Sequence, residues 1–225
     1  MKALNRASLK WIAIITMVVD HLGIFFARNG MSYEAYCVMR GIGRLSFPIF
    51  AFLIVEGFVH TKNYKKYLAR ILAFAIISEP LYDLFIHKSL FAEGFSVMFN
   101  FAFSLIGLYF WKKSELESFK QKILPAALIV VLAGIAWVLK FEYSWKCILI
   151  AIVFYTLRYN VGVRNVMVAC VLIADTSLLG MCSVLALFPI TVYNGKSGKF
   201  PKWLGYIVYP LHLAILVILG GVVHV

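Results

Sequence analysis

From Leu9 to Ala27 the chain is apolar almost without interruption. The run matches the stretch of about 20 residues that a helix needs to cross the hydrocarbon core of a bilayer. Eight further apolar segments follow it along the chain: Gly41–Val59, Tyr67–Ile86, Phe95–Trp111, Ile123–Leu139, Trp145–Leu157, Asn165–Asp175, Leu178–Val192 and Trp203–Val223. The sixth and seventh of the nine are short, and cross only as half-helices or by extending into polar flanks. Inside lipid every backbone N–H and C=O has to find a partner within the protein, and for apolar runs of this length the answer is a helix. The expected fold is therefore all-α, a polytopic transmembrane helix bundle of about nine spans (8–10). No internal repeat and no long hydrophilic loop interrupts it, so residues 1–225 read as a single integral-membrane domain.

Composition closes off the competing classes. Hydrophobic residues make up 63% of the 225 and charged ones 14%, whereas soluble domains run to about 45–50% and about 25%. Disorder needs low hydrophobicity. A basic soluble nucleic-acid binder needs a polar surface for its charge, so no nucleic-acid partner is expected and the bilayer is. The four cysteines, Cys37, Cys147, Cys170 and Cys182, lack any paired or Cys/His ligand spacing and read as small apolar packing residues. No metal site is expected. The basic start, Met1 to Lys10, leads into an apolar run too long for a signal peptide and without a small-x-small cleavage site, so an uncleaved first span is expected.

The formal charge is +12, from 22 Lys+Arg against 10 Asp+Glu. With nine spans, sixteen of the 22 fall in one set of alternate loops, from Lys2, Arg6 and Lys10 to Lys196, Lys199 and Lys202. Five (Arg28, Arg40, Lys88, Lys140, Lys146) fall in the other set, and Arg44 lies inside the second span. By the positive-inside rule the N-terminus is cytoplasmic, and the expected location is a bacterial inner membrane crossed many times. Tyr193–Lys202, rich in glycine and lysine, reads as a flexible solvated turn.

Ionisable residues inside spans are rare and mark function or pairing. Here they cluster in the first half. At about 100° per residue, Lys10 and His21 in the first span differ by roughly 20° and so share a face, with His21 ~16 Å further along the axis. Asp20 projects about 100° away from His21 and can orient it only through a second helix or water. Arg40 and Arg44, i and i+4, sit one above the other, with Pro48 interrupting the backbone ladder just beyond. Two readings stand for this group: a structural network of Arg44, Asp20 and Glu56, or a site for an anionic ligand that guanidinium grips well. In Ser78-Glu79-Pro80-Leu81-Tyr82-Asp83 the carboxylates either line an outward mouth or cap a helix end into a loop. Asn100 reads as packing glue or a cavity residue. Tyr209 and His212 flank Pro210 in the last span, where His212 is either structural or completes the His21 cavity. His60, His87 and His224 sit at span ends.

The segments KWIAIITMVVDHLG from Lys10, RGIGRLSFPIFAFLIVEGFVHT from Arg40, NYKKYLARILAFAIISEPLYDL from Asn63 and YIVYPLHLAIL from Tyr206 resemble the TraX family, whose members are similar to the F-type conjugative pilin acetylase. The resemblance covers nearly the whole chain. Two looser stretches, Ser96–Asn100 and Phe141–Ser144, lie in the half expected to shape acceptor specificity. A basic residue, ten residues and then His is also similar to a motif of acyltransferase-3 glycan O-acetylases and of heparan glucosaminide N-acetyltransferase.

These resemblances imply a transmembrane acetyltransferase. Acetyl-CoA is the acyl donor, with Lys10, Arg40 and Arg44 toward it. His21 is then general base or acyl carrier, with Asp20 holding its tautomer. Glu56, Glu79, Tyr82, Asp83, Asn100, Tyr209 and His212 remain as further cavity candidates, and the acceptor is an amine or hydroxyl of a protein or glycan. The competing reading is a small transporter or channel using the same buried charges, although no inverted repeat supports it.

Overall fold

Asn5 opens the first helix: its Oδ1 accepts the Ser8 amide at 2.9 Å, the usual work of an Asn at an N-cap. Helix α1 (Arg6–Ala27) then runs the length of the first apolar segment. The computed structural model describes residues 3–90, 92–114, 118–174, 177–201 and 203–223. Within them the chain is helical almost throughout. After α1 come α2 (Tyr33–Gly43), α3 (Ser46–His60), α4 (Tyr64–His87), α5 (Val97–Lys113), α6 (Phe119–Val138), α7 (Ser144–Thr156), α8 (Val161–Leu172), α9 (Leu178–Ser183), α10 (Leu187–Thr191) and α11 (Leu204–Val223). A single 3-10 turn, Val184–Ala186, joins α9 to α10. Among the described residues β-pairing is limited to two isolated bridges.

Each of the nine apolar segments coincides with a helix or a broken helix pair, the second with α2 and α3 and the eighth with α9 and α10. Among the described residues, four stretches are long and apolar enough to cross a membrane: Arg6–Ala27, Tyr33–His60, Lys120–Val138 and Leu204–Gly221. Helix α4 has the length but carries Lys65, Lys66, Arg70, Glu79 and Asp83. The stretches Ser144–Thr156, Val161–Leu172 and Leu178–Thr191 are apolar and shorter. Helix α6 turns Leu124, Val130 and Trp137 outward, an apolar face that suits lipid and not water. This is an all-α membrane protein.

Several basic residues assigned to loops by the charge count lie in helices, among them Arg40 in α2, Lys146 in α7 and Arg164 in α8. The last two are buried. Taking these three out leaves the bias in the same direction. Lys2, Lys202, Asp175 and His224 lie outside the described residues.

The helices form two compact units, Met1–Leu53 with Asn165–Val225, and Ile54–Arg164. In the first, α2 returns antiparallel along α1. Gly23 permits the close approach: a Cβ built there lies 3.0 Å from that of Met39. Helix α11 runs parallel to α1, since Gly205 lies beside Lys10, His212 meets His21 and Gly220 faces Phe25. The 193–201 loop is not the free turn that its composition suggests. The Arg6 and Ala7 amides, two of the donors left without partners at any helix start, donate to the Lys196 and Ser197 carbonyls at 2.8 and 3.1 Å. Leu4 pairs with Val192 and Asn194 through its own amide and carbonyl. Gly198 adopts φ +67, and a Cβ there would overlap the Asn5 side chain. The loop is a strap over the start of α1, with Phe200 edge-on to Trp11 at 5.3 Å.

In the second unit the core gathers around Phe141, whose ring meets Phe95 at 5.1 Å and Phe103 at 5.0 Å above Leu132, Ala136 and Ile148. Phe141 is 5% exposed. Phe141→Ala should cost about 3–5 kcal/mol through the cavity it leaves, read as a lowered apparent Tm of the purified protein in detergent.

Candidate functional site

The inward face of α1 carries Leu9, Ala13, Met17, Asp20 and His21. The last two are neighbours in sequence, so they point to different helices. Asp20 turns to α2. Its Oδ2 is ion-paired with Arg40 Nη1, and its Oδ1 lies 3.7 Å from Arg44 Nη2. The arginines present themselves together because they are one turn apart, in the last turn of α2 and at its C-cap. Gly43 stands between them for a steric reason: a Cβ there would fall inside the Asp20 carboxyl group. The helix breaks directly after Arg44, because Pro48 has no N–H to offer the Arg44 carbonyl, and α3 restarts at Ser46. Two guanidiniums thus share one carboxylate, and the three groups together carry a net positive charge. All three side chains are largely buried, at 13–16% exposure. Breaking such a pair by removing one partner costs about 3–5 kcal/mol.

His21 turns to α11, where its Nδ1 lies 2.9 Å from His212 Nε2 and the ring centroids are 4.9 Å apart. The other nitrogen of His212, Nδ1, lies 2.7 Å from the Val208 carbonyl. Tyr209 packs edge-on against His212 at 5.6 Å and is itself buried. Pro210 lies inside α11 between them and breaks the backbone ladder at that level. Lys10, near the start of α1, is half-buried with its ammonium 4.6 Å above the Phe200 ring.

The structure therefore brings together Asp20, Arg40 and Arg44, and separately His21, His212 and Tyr209, on two sides of α1. The Asp20 carboxylate meets the arginines of α2, and Nδ1 of His21 meets His212.

The remaining candidates belong to the second unit. Glu56 lies 3.9 Å from His60 Nδ1 across one helical turn and beside the charge of Arg164. Glu79 accepts the Ser96 amide at 2.9 Å and the Ser96 hydroxyl at 2.6 Å. Asp83, one turn on, accepts the Ala92 amide at 3.2 Å. Both carboxylates thus cap the loop that leads into α5, which is the helix-end reading of that segment. Tyr82 bonds the Glu142 side chain. Asn100, 0% exposed, donates from Nδ2 to the Glu142 carbonyl and to the Ser144 carbonyl at 3.0 Å. The turn it holds contains Lys140, Tyr143 and Ser144, all at positive φ. Such residues cost about 1–3 kcal/mol each unless their surroundings hold them, and Asn100 is part of that hold.

Sequence reasoning missed Gly43, Val208 and the strap. The two backbone carbonyls of the strap and that of Val208 leave no mark on residue type. Gly43 sits in the GIGR run, and a glycine spaced between two arginines was the signal available for it.

With this geometry in view, comparison with known proteins settles the family. A family model described as TraX protein matches residues 5–220. The chain belongs to the TraX family. Among curated proteins it is similar to the probable fimbrial assembly protein FimC, serogroup H1, of Dichelobacter nodosus, with 29% identity over 92% of each chain. It is also similar to the uncharacterized protein RP591 of Rickettsia prowazekii (strain Madrid E), with 24% identity over 83% of this chain and 68% of that one. No solved structure matches.

If the Asp20 carboxyl fills the space over Gly43, Gly43→Ala should destabilise this TraX family chain by the about 1–3 kcal/mol typical of overpacking. Gly134, also in a helix, has nothing within 4 Å of a built Cβ. Gly134→Ala should be neutral or gain up to about 1 kcal/mol. Thermal unfolding of the two variants side by side checks the contrast.

Proposed function

We propose that the chain is an acetyl-CoA-dependent acetyltransferase embedded in the bacterial inner membrane, moving the acetyl group to an amine or hydroxyl of an acceptor reached through the helices. The observation that carries this reading is a buried histidine, His21, held by a second imidazole and standing one residue from a cluster of two guanidiniums and one carboxylate. A base beside fixed positive charge is what acyl transfer asks of a site: one group takes the acceptor's proton, and the other stabilises the oxyanion of the tetrahedral intermediate.

In this scheme the acceptor nitrogen or oxygen attacks the thioester carbonyl carbon and its proton passes to His21. Arg40 and Arg44 stabilise the oxygen that becomes negative. The C–S bond then breaks with its electron pair left on sulfur, and the proton from His21 goes to the CoA thiolate. Lys10 lies toward the start of the same helix and meets the CoA phosphates.

The parallel course of α1 and α11 supports the topology. Two crossing helices that run the same way are separated by an odd number of crossings, so the total is odd. Nine fits, and eight or ten does not. Both helices then start at the face marked by most of the Lys and Arg, which is the cytoplasmic face where acetyl-CoA is available. The D. nodosus relative is named for fimbrial assembly, which suits a pilin-like protein, offering its N-terminal amine, as the acceptor here.

His21→Ala should lower release of free CoA thiol by about 10²–10⁴-fold, the range of a lost general base, while acetyl-CoA binding stays within about twofold because the base acts in the transition state. Thiol release in reconstituted vesicles, with a peptide bearing a free N-terminal amine or with a hexose as acceptor, measures the first. Equilibrium binding measures the second. Turnover at the wild-type rate in the variant would overturn the assignment, and counterflow of a solute without thiol release would favour a transporter.

A further inference from the structure

We infer that His212 is a positioning residue for this reaction: it holds His21 as the Nδ1–H tautomer and leaves Nε2 of His21 as the atom that takes the acceptor's proton. The catalytic half of this statement rests on the acetyltransferase reading; the tautomer does not.

The protons can be followed along the two rings. A carbonyl only accepts hydrogen bonds, and the Val208 carbonyl lies 2.7 Å from His212 Nδ1. His212 Nδ1 therefore carries a proton. A neutral imidazole has one N–H and one lone pair, so His212 Nε2 presents a lone pair. That lone pair faces His21 Nδ1 at 2.9 Å, and the contact closes only with Nδ1–H of His21 as donor. Met17 stands to His21 as Val208 stands to His212, one turn back on the same helix, and its backbone also bonds the His21 ring. In a helical histidine the nitrogen nearer the backbone is Nδ1, so both partners call for the proton there. With Nδ1 protonated, neutral His21 carries its lone pair on Nε2, the atom that takes the acceptor's proton in the acetyltransferase reading.

This arrangement replaces the carboxylate that orients the base in a Ser-His-Asp triad, where the wrong tautomer costs about 10⁴ in kcat. Asp20 is not available for that work because Arg40 and Arg44 hold it. When Nε2 of His21 takes up the acceptor's proton, its Nδ1–H stays shared with His212 Nε2, and the positive charge is spread toward the second ring. The proton leaves again from Nε2 to the CoA thiolate, so His212 exchanges no proton over the cycle.

The rings also define the variants. The amide of Gln reaches the place of Nε2, whereas that of Asn reaches only the place of Nδ1. His212→Gln keeps an acceptor for His21, and His212→Asn keeps only the bond to Val208. On the full chain in lipid nanodiscs, ¹⁵N shifts of labelled histidine should show His21 with a protonated Nδ1 in the wild type and in His212→Gln. In His212→Asn only the Met17 backbone still calls for the proton at Nδ1, so Nδ1–H should no longer be the dominant tautomer. With whichever acceptor the wild type uses, His212→Asn should lose about 10²–10⁴ in kcat at unchanged KM for acetyl-CoA, with His212→Gln at least about tenfold better. Loss of folding is checked by thermal unfolding, and the wild-type spectrum stands whether or not a variant folds. An Nε2–H tautomer in the wild type, or equal kcat for Gln and Asn, would overturn the inference. A wild type with the expected tautomer and no thiol release would overturn the acetyltransferase reading and leave the tautomer assignment standing.

Discussion

A carboxylate inside a lipid-embedded helix bundle has to be met by positive charge, and that requirement organises the first unit. Asp20 is buried on α1, and the groups that meet it, Arg40 and Arg44, come from the end of α2. For a short Asp side chain to reach two guanidiniums on a neighbouring helix, the backbones must approach closely. Gly23 and Gly43 supply that approach, since neither position has room for a Cβ without displacing Met39 or Asp20 itself. The break after Arg44 follows from Pro48, and frees the second arginine from a continuous helix at the level where it is needed. Ion pair, glycines and helix break are one solution to one problem.

The imidazole pair depends on that frame. His21 and His212 are 191 residues apart in sequence, so their contact exists only because α11 lies parallel to α1. The strap over the helix start works toward the same end. By accepting the Arg6 and Ala7 amides and placing Phe200 against Trp11 and Lys10, it ties the beginning of α1 to the chain segment that leads into α11. A helix anchored at its start and pinned at mid-length on two neighbours has little freedom to rotate.

What sequence could tell divides along physical lines. Apolar length announces helices because lipid allows little else, so all nine segments from Leu9–Ala27 to Trp203–Val223 are found as helices. Side chains that cost energy in lipid announce themselves too, which is why Asp20, His21, Arg40 and Arg44 stood out before any geometry. Their pairing was not legible. Helical periodicity places Asp20 and His21 about 100° apart, but not which neighbour each one meets, and the carboxylate went to the arginines while the imidazole went to His212. Backbone partners were invisible altogether. The 193–201 loop has the glycines and lysines of a free turn, and its hold on α1 is made by carbonyls that any residue has. Glu79, Asp83 and Asn100 looked equivalent to the first group by residue type. In the structure they cap a loop and staple a turn in the second unit.

That difference bears on how buried polar residues are to be sorted in a chain like this one. Glu79, Asp83 and the Asn100 amide nitrogen meet backbone donors or acceptors, so those hydrogen bonds are spent on local structure. Around His21 side chains also meet one another across helices. His212 Nε2 meets His21 Nδ1, and Arg40 and Arg44 both stand against the carboxylate of Asp20. Because Asp20 and His21 are adjacent, one helix brings those two contacts to nearly the same depth and faces them to different sides. In the acetyltransferase reading, adjacency places the imidazole near the guanidiniums while the helical twist turns the two residues to different neighbours, so one helix supplies both parts.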